Sequence, residues 1–188
     1  MTLDARALKE RYREKWVKSN ARERFVLAAL NAFLPKPWRA ELTGLGAGED
    51  RLIERTYSGV EEAFDITVYH GDAAIAFVDV TGVASVADAR RHECSGYCVG
   101  SWKLGKCRRH RVCGRAWVAL VVDEDLRVLW LPLAWLDQAA EAPYVRGCRL
   151  YGDERIVLCT DSSRWKRFKH FKNWLVHTAL YQTLAARA

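Results

Sequence analysis

The sequence predicts an α/β fold, with a central mixed β-sheet flanked by helices. Three observations favour it. Short apolar strands follow one another as hairpins, and helical segments with an apolar side stand at both ends of the chain. The third is the length of 188 residues, which is enough for one domain with a sizeable core. We therefore expect residues 1–188 to form a single domain, with a Cys- and His-rich basic insertion at 92–115.

Two helices are expected before the sheet. Residues 3–18 are charged, with apolar residues four apart on one side, which is typical of an amphipathic helix. Asn20 is a suitable N-cap for a second, largely apolar helix over residues 21–34. Glu23 lies in the first turn of that helix, where a carboxylate is also favoured by the helix dipole alone.

Two hairpins supply most of the predicted sheet. The first extends from Phe64 to Gly82, and its second strand is apolar on both sides, as expected of a central strand covered on both faces. The second hairpin covers residues 117–133, where two apolar runs flank an acidic turn. The other predicted elements are a strand over 38–43, short helices over 85–91 and 134–140, an ambiguous segment over 148–160, and a final helix over 163–186.

The positive charge is concentrated in the second half of the chain. Residues 1–90 carry a net charge of −1 and residues 91–188 a net charge of +8. This asymmetry favours a polyanionic partner, although a solvated basic surface would give the same composition. The first residues are charged and no apolar run approaches the ~20 residues of a membrane span, so we expect a cytoplasmic protein without a membrane partner.

The amide residues Asn and Gln are scarce, whereas Arg, Trp and Val are frequent. This bias is typical of proteins from thermophiles, and a GC-rich genome produces much of it as well. The point bears on the cysteines, because hyperthermophiles tolerate disulfide bonds inside the cell.

The two strands of the first hairpin carry one acid each, Asp65 and Asp79. With a two-residue turn at Gly71, the two acids lie on opposite faces of the sheet. A loop of three or five residues instead places them opposite each other on one face. The apolar pattern favours this second register, although it leaves Ile75 and Phe77 on the face of the acids. The residues then expected on the other face are Ile66, Val68, Ala76, Val78 and Val80.

Two converging carboxylates are the hard oxygen ligands that Mg²⁺ or Mn²⁺ prefers in proteins. Such an ion polarises a phosphoryl oxygen and lowers the pKa of a bound water, which promotes phosphodiester hydrolysis. Without such a role, Asp65 and Asp79 are ordinary strand-end residues in contact with solvent.

The order of the acids resembles the PD-(D/E)xK nuclease superfamily, and within it the archaeal Holliday-junction resolvases and restriction-type endonucleases. In that superfamily an early helix carries a Glu, one strand carries an Asp, and the next strand carries Asp/Glu-x-Lys. Here ARERFVLAALNAF contains Glu23, FDI contains Asp65 and FVDVTG contains Asp79, over roughly residues 20–136. The resemblance implies a Mg²⁺- or Mn²⁺-dependent endonuclease acting on DNA, with Asp65 and Asp79 as metal ligands and a homodimer as the assembly.

Thr81 occupies the position of the motif lysine. In the superfamily that lysine is thought to orient or activate the attacking water and to stabilise charge, whereas threonine only forms hydrogen bonds. Two hypotheses follow. Either a lysine from elsewhere reaches the site, with Lys103, Lys106 and Lys172 as candidates, or the domain binds nucleic acid without cleaving it.

Five soft or borderline metal ligands lie within 20 residues: Cys94, Cys98, Cys107, His110 and Cys113. Four such ligands make a structural Zn²⁺ site, and their density favours zinc in an intracellular protein. A zinc-stabilised protein-interaction domain is therefore a third hypothesis. Disulfide bonding is the alternative, which the thermophile-like composition strengthens. Cys148 and Cys159 lie outside the cluster, and they would pair with each other or stay as buried thiols.

A basic surface is expected to bind the phosphate backbone of the nucleic acid. Tyr97 and Trp102 are available to stack on unpaired bases, with local packing as the alternative. The predicted nucleic-acid-binding residues are Lys103, Lys106, Arg108, Arg109, Arg111, Arg115, Lys166 and Lys169.

Overall fold

A computed structural model describes residues 5–49, 58–91, 97–142, 145–149, 156–160 and 162–185 of the chain. The helices are α1 (Ala5–Phe33), α2 (Val86–Arg91), α3 (Ser101–Arg109), α4 (Leu133–Ala139) and α5 (Phe168–Ala185). The strands are β1 (Trp38–Leu42), β2 (Ile66–His70), β3 (Ala73–Val83), β4 (Tyr97–Gly100), β5 (Ala116–Val122), β6 (Arg127–Pro132), β7 (Arg146–Arg149) and β8 (Ile156–Thr160).

The central sheet has five strands in the order β1-β2-β3-β5-β6, in which β3 and β5 are parallel and the other neighbours are antiparallel. Helices α1 and α5 pack on one face of this sheet, and α3 and α4 pack on the other. A second sheet of three antiparallel strands, β4-β8-β7, lies beside α3. The predicted α/β fold, with a central mixed sheet flanked by helices, is thereby confirmed.

The first helix differs from the prediction, since α1 is one continuous helix of 29 residues and not two. Asn20 is not an N-cap: it lies within α1, where its Oδ1 accepts a hydrogen bond of 2.9 Å from Nε of Arg24. No proline or glycine separates the two predicted helices, and packing of the apolar side against the sheet outweighs the weak helix propensity of Ser19 and Asn20.

The structure also contains the second predicted hairpin and assigns strands to the ambiguous segment over 148–160. Strands β5 and β6 form the second hairpin, and the ambiguous segment contributes the antiparallel pair β7 and β8. The basic stretch at 92–115 contains β4, α3 and a 3-10 turn at Cys113–Arg115. The final helix begins at Phe168, later than predicted, because a 3-10 turn at Ser162–Arg164 and a bridge between Lys166 and Trp130 precede it.

The register of the first hairpin combines both predicted alternatives. The turn has two residues, Gly71 and Asp72, and Gly71 takes a φ of 60°, which is easy only for glycine. Near the turn His70 pairs with Ala73, but a β-bulge shifts the register between Val68 and Tyr69. Beyond the bulge, Ile66 pairs with Val78, which is the register expected from a longer loop. The prediction that the acids require a loop of more than two residues is therefore wrong, because the bulge supplies the extra residue.

The bulge also explains the apolar pattern. The residues predicted to face away from the acids all lie in the cluster beneath α1 and α5: Ile66, Val68, Ala76, Val78 and Val80. Ile75 joins them there, contrary to the prediction, because the bulge turns its side chain to that face. Phe77 lies on the face of α3, together with Phe64 and Leu104. This alternation directs Asp79, two residues further along β3, toward α3.

No helix in the described part of the chain combines the length and apolar character that a membrane span requires.

Candidate active site around Asp65 and Asp79

Asp79 is a buried carboxylate on the central strand β3, with 1% of its side-chain surface exposed. Its Oδ1 atom lies 2.7 Å from Nζ of Lys106 and 3.5 Å from Nζ of Lys103. Its Oδ2 atom is buried and accepts no hydrogen bond among the described residues. A buried carboxylate oxygen without a donor carries a large desolvation penalty, so this atom is free to bind an additional cation or donor.

Asp65 immediately precedes β2, and its side chain reaches across to β3. Its Oδ2 atom accepts a hydrogen bond of 2.7 Å from the backbone N–H of Val80, the residue after Asp79. The backbone carbonyl of Asp65 accepts hydrogen bonds from the N–H groups of Thr43 and Gly44, at 3.1 and 3.3 Å. A Cβ atom on Gly44 would lie 2.6 Å from the carbonyl oxygen of Phe64, so this close approach requires glycine.

The two acids interact electrostatically, as the pKa of Asp65 shows. Burial among protein atoms, followed by the charge of Asp79, raises the pKa of Asp65 from 3.8 to about 6. The ammonium groups of Lys103 and Lys106 lower this pKa, and the carboxylate of Glu23 raises it further. Part of the Asp65 side chain remains accessible to solvent, but its surroundings leave too little water to hydrate the charge fully.

The two lysines lie three residues apart on α3 and point inward. Lys106 also donates a hydrogen bond to the carbonyl of Ala63, and its Nζ atom lies 4.8 Å from the ring centroid of Phe64. Lys103 donates a hydrogen bond of 3.1 Å to the carbonyl of Val80. A lysine from elsewhere therefore reaches the carboxylates, as one of the two hypotheses requires. The third candidate, Lys172, belongs to α5 on the opposite face of the sheet.

Glu23 is buried, with 7% of its surface exposed, but its hydrogen bonds are not to the residues around Asp65 and Asp79. Its Oε1 atom accepts a hydrogen bond of 3.0 Å from Oγ of Ser19, and its Oε2 atom accepts one of 2.8 Å from the N–H of Gly48. In this arrangement Glu23 anchors the glycine-rich loop that follows β1. Within the described residues, no three Asp, Glu, His or Cys side chains come close enough together to hold a metal ion.

Thr81 is half-buried on β3, two residues after Asp79 and on the same face. The positive charges beside Asp79 come from α3. Lys103 and Lys106 are among the lysines that the sequence offers for the site, whereas helix α3 is not among the predicted elements. The available signal was the spacing of the two lysines, because residues three apart share one side of a helix.

Four cysteines of the described residues form disulfide bonds, which the sequence offers as the alternative to zinc. Cys98 is bonded to Cys159, its direct partner in the β4–β8 pair, and Cys107 is bonded to Cys113. Since zinc binds thiolates, the three disulfide-bonded members of the predicted ligand set are not available to it. Cys94 and the side chain of Cys148 lie outside the described part of the structure.

The predicted basic surface divides into inward and outward residues. Besides the two lysines of the site, Arg115 points inward: its Nη1 atom donates 3.1 Å to the carbonyl of Ala74, and its guanidinium lies 5.2 Å from the ring centroid of Phe77. On the surface, Arg108 pairs with Asp137 at 2.5 Å. The remaining predicted residues are exposed: Arg109, Arg111, Lys166 and Lys169.

The two aromatic residues proposed for base stacking differ in position. Tyr97 is 6% exposed and packs edge-on against Trp165, at 6.0 Å between ring centroids, so local packing accounts for it. Trp102 is 39% exposed, so part of its indole ring faces solvent.

A solved structure described as a nuclease from a fusselovirus superposes on this chain with a TM-score of 0.58 and 17% sequence identity, over 98% of this chain and 99% of that chain. The two proteins share a fold. At this identity the likeness concerns the fold, and membership of the PD-(D/E)xK superfamily stays a prediction. No protein-family model and no curated protein matches the sequence.

Proposed function

We propose that this protein is a metal-dependent nuclease that hydrolyses phosphodiester bonds of DNA. The observation that carries the proposal is the buried Oδ2 atom of Asp79, which accepts no hydrogen bond among the described residues and belongs to a carboxylate that interacts with Asp65. Mg²⁺ sites in proteins typically have one or two carboxylate ligands, and water and phosphate oxygens occupy the other coordination positions. The residues present therefore fit Mg²⁺ or Mn²⁺.

The roles of the residues follow from their positions. Asp65 and Asp79 would hold the ion, which when bound polarises the phosphoryl group and lowers the pKa of a water molecule. Lys106 would stabilise the negative charge that develops on the phosphoryl oxygens, since its ammonium group stays beside Asp79 in a water-poor environment. Lys103, whose Nζ atom lies 3.5 Å from Oδ1 of Asp79, and the N–H of Val80, which donates to Asp65, would keep the two carboxylates oriented.

The polyanionic substrate is supported by the charge distribution and by the fold. The second half of the chain carries a net charge of +8, and its exposed basic residues would contact the phosphate backbone. The structural neighbour is described as a nuclease. The exposed residues assigned to the backbone are Arg109, Arg111, Lys166 and Lys169.

Replacement of Asp79 tests the catalytic proposal. Asp79→Asn keeps the volume of the side chain but removes its charge, so cleavage of DNA with Mg²⁺ or Mn²⁺ should fall by about 100-fold or more. The matched control is Asp72→Asn, in the turn of the same hairpin, where the side chain is fully exposed. Duplex, flap, junction and single-stranded DNA should all be tested. If wild-type protein cleaves none of them, the nuclease proposal is wrong.

The second candidate is a nucleic-acid-binding module that does not cleave. One observation favours it: two ammonium groups already flank Asp79, so the carboxylate pair is largely neutralised without a metal ion. This candidate predicts salt-dependent DNA binding that survives Asp79→Asn and no cleavage by the wild-type protein. Binding and cleavage assays on the same preparations separate the two candidates.

A further inference from the structure

The helix that carries both lysines of the site has a disulfide bond at each end. Cys98 lies in β4, which leads directly into α3, and it is bonded to Cys159 of β8. Cys107 lies in the last turn of α3 and is bonded to Cys113. With nine residues, α3 is too short to be stable by itself, so its position depends on what it is attached to.

The Cys107–Cys113 bond attaches α3 to the strand beside Asp79. Cys113 begins the 3-10 turn that leads into β5, and within β5 Val118 is the parallel partner of Asp79. At the other end of the bond, Cys107 immediately follows Lys106 and lies one turn after Lys103. The bond therefore links the helix that carries the lysines to β5, the strand that is hydrogen-bonded to the strand of Asp79.

The backbone between these two cysteines closes the end of α3 with hydrogen bonds: the N–H groups of His110 and Val112 donate to the carbonyl oxygens of Lys106 and Cys107, at 3.1 and 2.9 Å. Arg111 has a φ of 56°, in the left-handed region that non-glycine residues avoid, and its side chain is exposed. Cys107 itself is fully buried in the core cluster with Leu104 and Val112. Replacing the disulfide by two polar side chains would remove the cross-link and place a hydroxyl group in the core cluster, so this end of α3 should loosen.

We infer that the Cys107–Cys113 disulfide is a positioning element of the active site, which holds Lys106 and Lys103 against Asp79. Its expected effect on cleavage rests on the proposed function. The positions of the lysines can also be measured without cleavage, so the two claims can fail separately.

The experiment compares two double variants of the full-length protein, each of which removes one bond and leaves no unpaired partner from it. Cys107→Ser/Cys113→Ser removes the proposed positioning element. Cys98→Ser/Cys159→Ser is the matched comparison, because it removes a bond with a sequence separation of 61 rather than 6. Four quantities are measured for each: the melting temperature, kcat and KM on DNA with Mg²⁺, and the acylation of individual lysines by an N-hydroxysuccinimide ester, quantified by mass spectrometry.

In Cys107→Ser/Cys113→Ser, kcat should fall by about 10- to 100-fold with little change in KM, since displacement of a catalytic group by about 1 Å has effects of this size. Acylation of Lys103 and Lys106 should become faster, while that of exposed Lys166 stays the same. In Cys98→Ser/Cys159→Ser, the melting temperature should fall further, yet kcat well below that temperature and lysine acylation should change much less.

Two results would overturn the inference. The first is unchanged acylation of Lys103 and Lys106 in Cys107→Ser/Cys113→Ser. The second is an equal change of kcat and acylation in both variants, which would mean that the bond only stabilises the fold. Absence of cleavage by wild-type protein would overturn the nuclease proposal instead, and the acylation comparison would still decide whether the bond positions the lysines.

Discussion

The Nζ atom of Lys106 lies 2.7 Å from Oδ1 of Asp79, although the two residues are 27 positions apart in the sequence. The carboxylate belongs to the central strand and the ammonium group to a short helix above it. The side chain of Asp79 is 1% exposed and that of Lys106 is 18% exposed, so the pair is largely removed from water. In such surroundings each charge depends on the other, and removal of one leaves the other uncompensated.

Lys106→Met should therefore affect both catalysis and stability. Methionine keeps most of the volume but leaves Asp79 with only the more distant Lys103, so the free energy of unfolding should fall by about 2 to 4 kcal/mol. Cleavage should fall by about 100-fold or more, because the developing charge on the phosphate loses its stabilising cation. Urea unfolding and single-turnover cleavage are the measurements. Lys166→Met, at an exposed position, should change neither by a comparable amount.

The pH dependence of cleavage should follow the ionisation of Asp65. Burial raises the pKa of Asp65 to about 6, so the carboxylate is protonated below that pH and cannot bind a cation. Cleavage should rise with pH through about 6 and then level off. Because Mg²⁺ competes with the proton, the midpoint should move to lower pH as its concentration increases. A profile that is flat between about pH 5 and 7 would contradict the role of Asp65.

Asp65→Asn should stabilise the fold while it abolishes cleavage. The pKa of Asp65 is higher in the folded state than its ordinary 3.8, so the folded protein binds more protons between about pH 4 and 6, and stability falls as pH rises through that window. Above it, ionised Asp65 is unfavourable by about 1 to 3 kcal/mol. Asparagine keeps the acceptor for the N–H of Val80. The free energy of unfolding of Asp65→Asn should therefore exceed that of the wild-type protein at about pH 7, and the difference should vanish near pH 3.5.

The two disulfide bonds should stabilise the protein to different extents. Their sequence separations are 61 for Cys98–Cys159 and 6 for Cys107–Cys113. Because closure of a longer loop removes more entropy from the unfolded chain, loss of the first should lower the unfolding free energy by about 4 kcal/mol and loss of the second by about 2 kcal/mol. Urea titration of the two double serine variants checks the order. Equal or reversed losses would show that native packing outweighs the loop entropy.

Much of the fold could be predicted from local patterns in the sequence. The two hairpins, the doubly covered central strand and the flanking helices follow from apolar periodicity, which reports directly on which side of an element is buried. The same periodicity placed Ile66, Val68, Ala76, Val78 and Val80 on one face, as observed. The continuous α1 was missed because a cap residue such as Asn20 is a weak signal when packing favours the longer helix.

The candidate site depended on features that local patterns do not contain. The turn at Gly71 was compatible with a two-residue loop, and only the pairing of whole strands revealed the β-bulge that brings Asp65 to the level of Asp79. Glu23, which the family pattern placed with these acids, instead binds the loop at Gly48. Hydrogen bonds between residues far apart in the chain decided both outcomes.

The sequence by itself determined that Asp65 and Asp79 lie on neighbouring strands of a buried hairpin, and that Thr81 stands where the resembled motif has lysine. The tertiary structure decided that two positive charges lie beside Asp79, because Lys103 and Lys106 reach it only when α3 packs across β3. It also decided that the neighbouring cysteines form disulfide bonds. Local periodicity reports burial, whereas the meeting of an ammonium group with a carboxylate depends on how separate elements pack together.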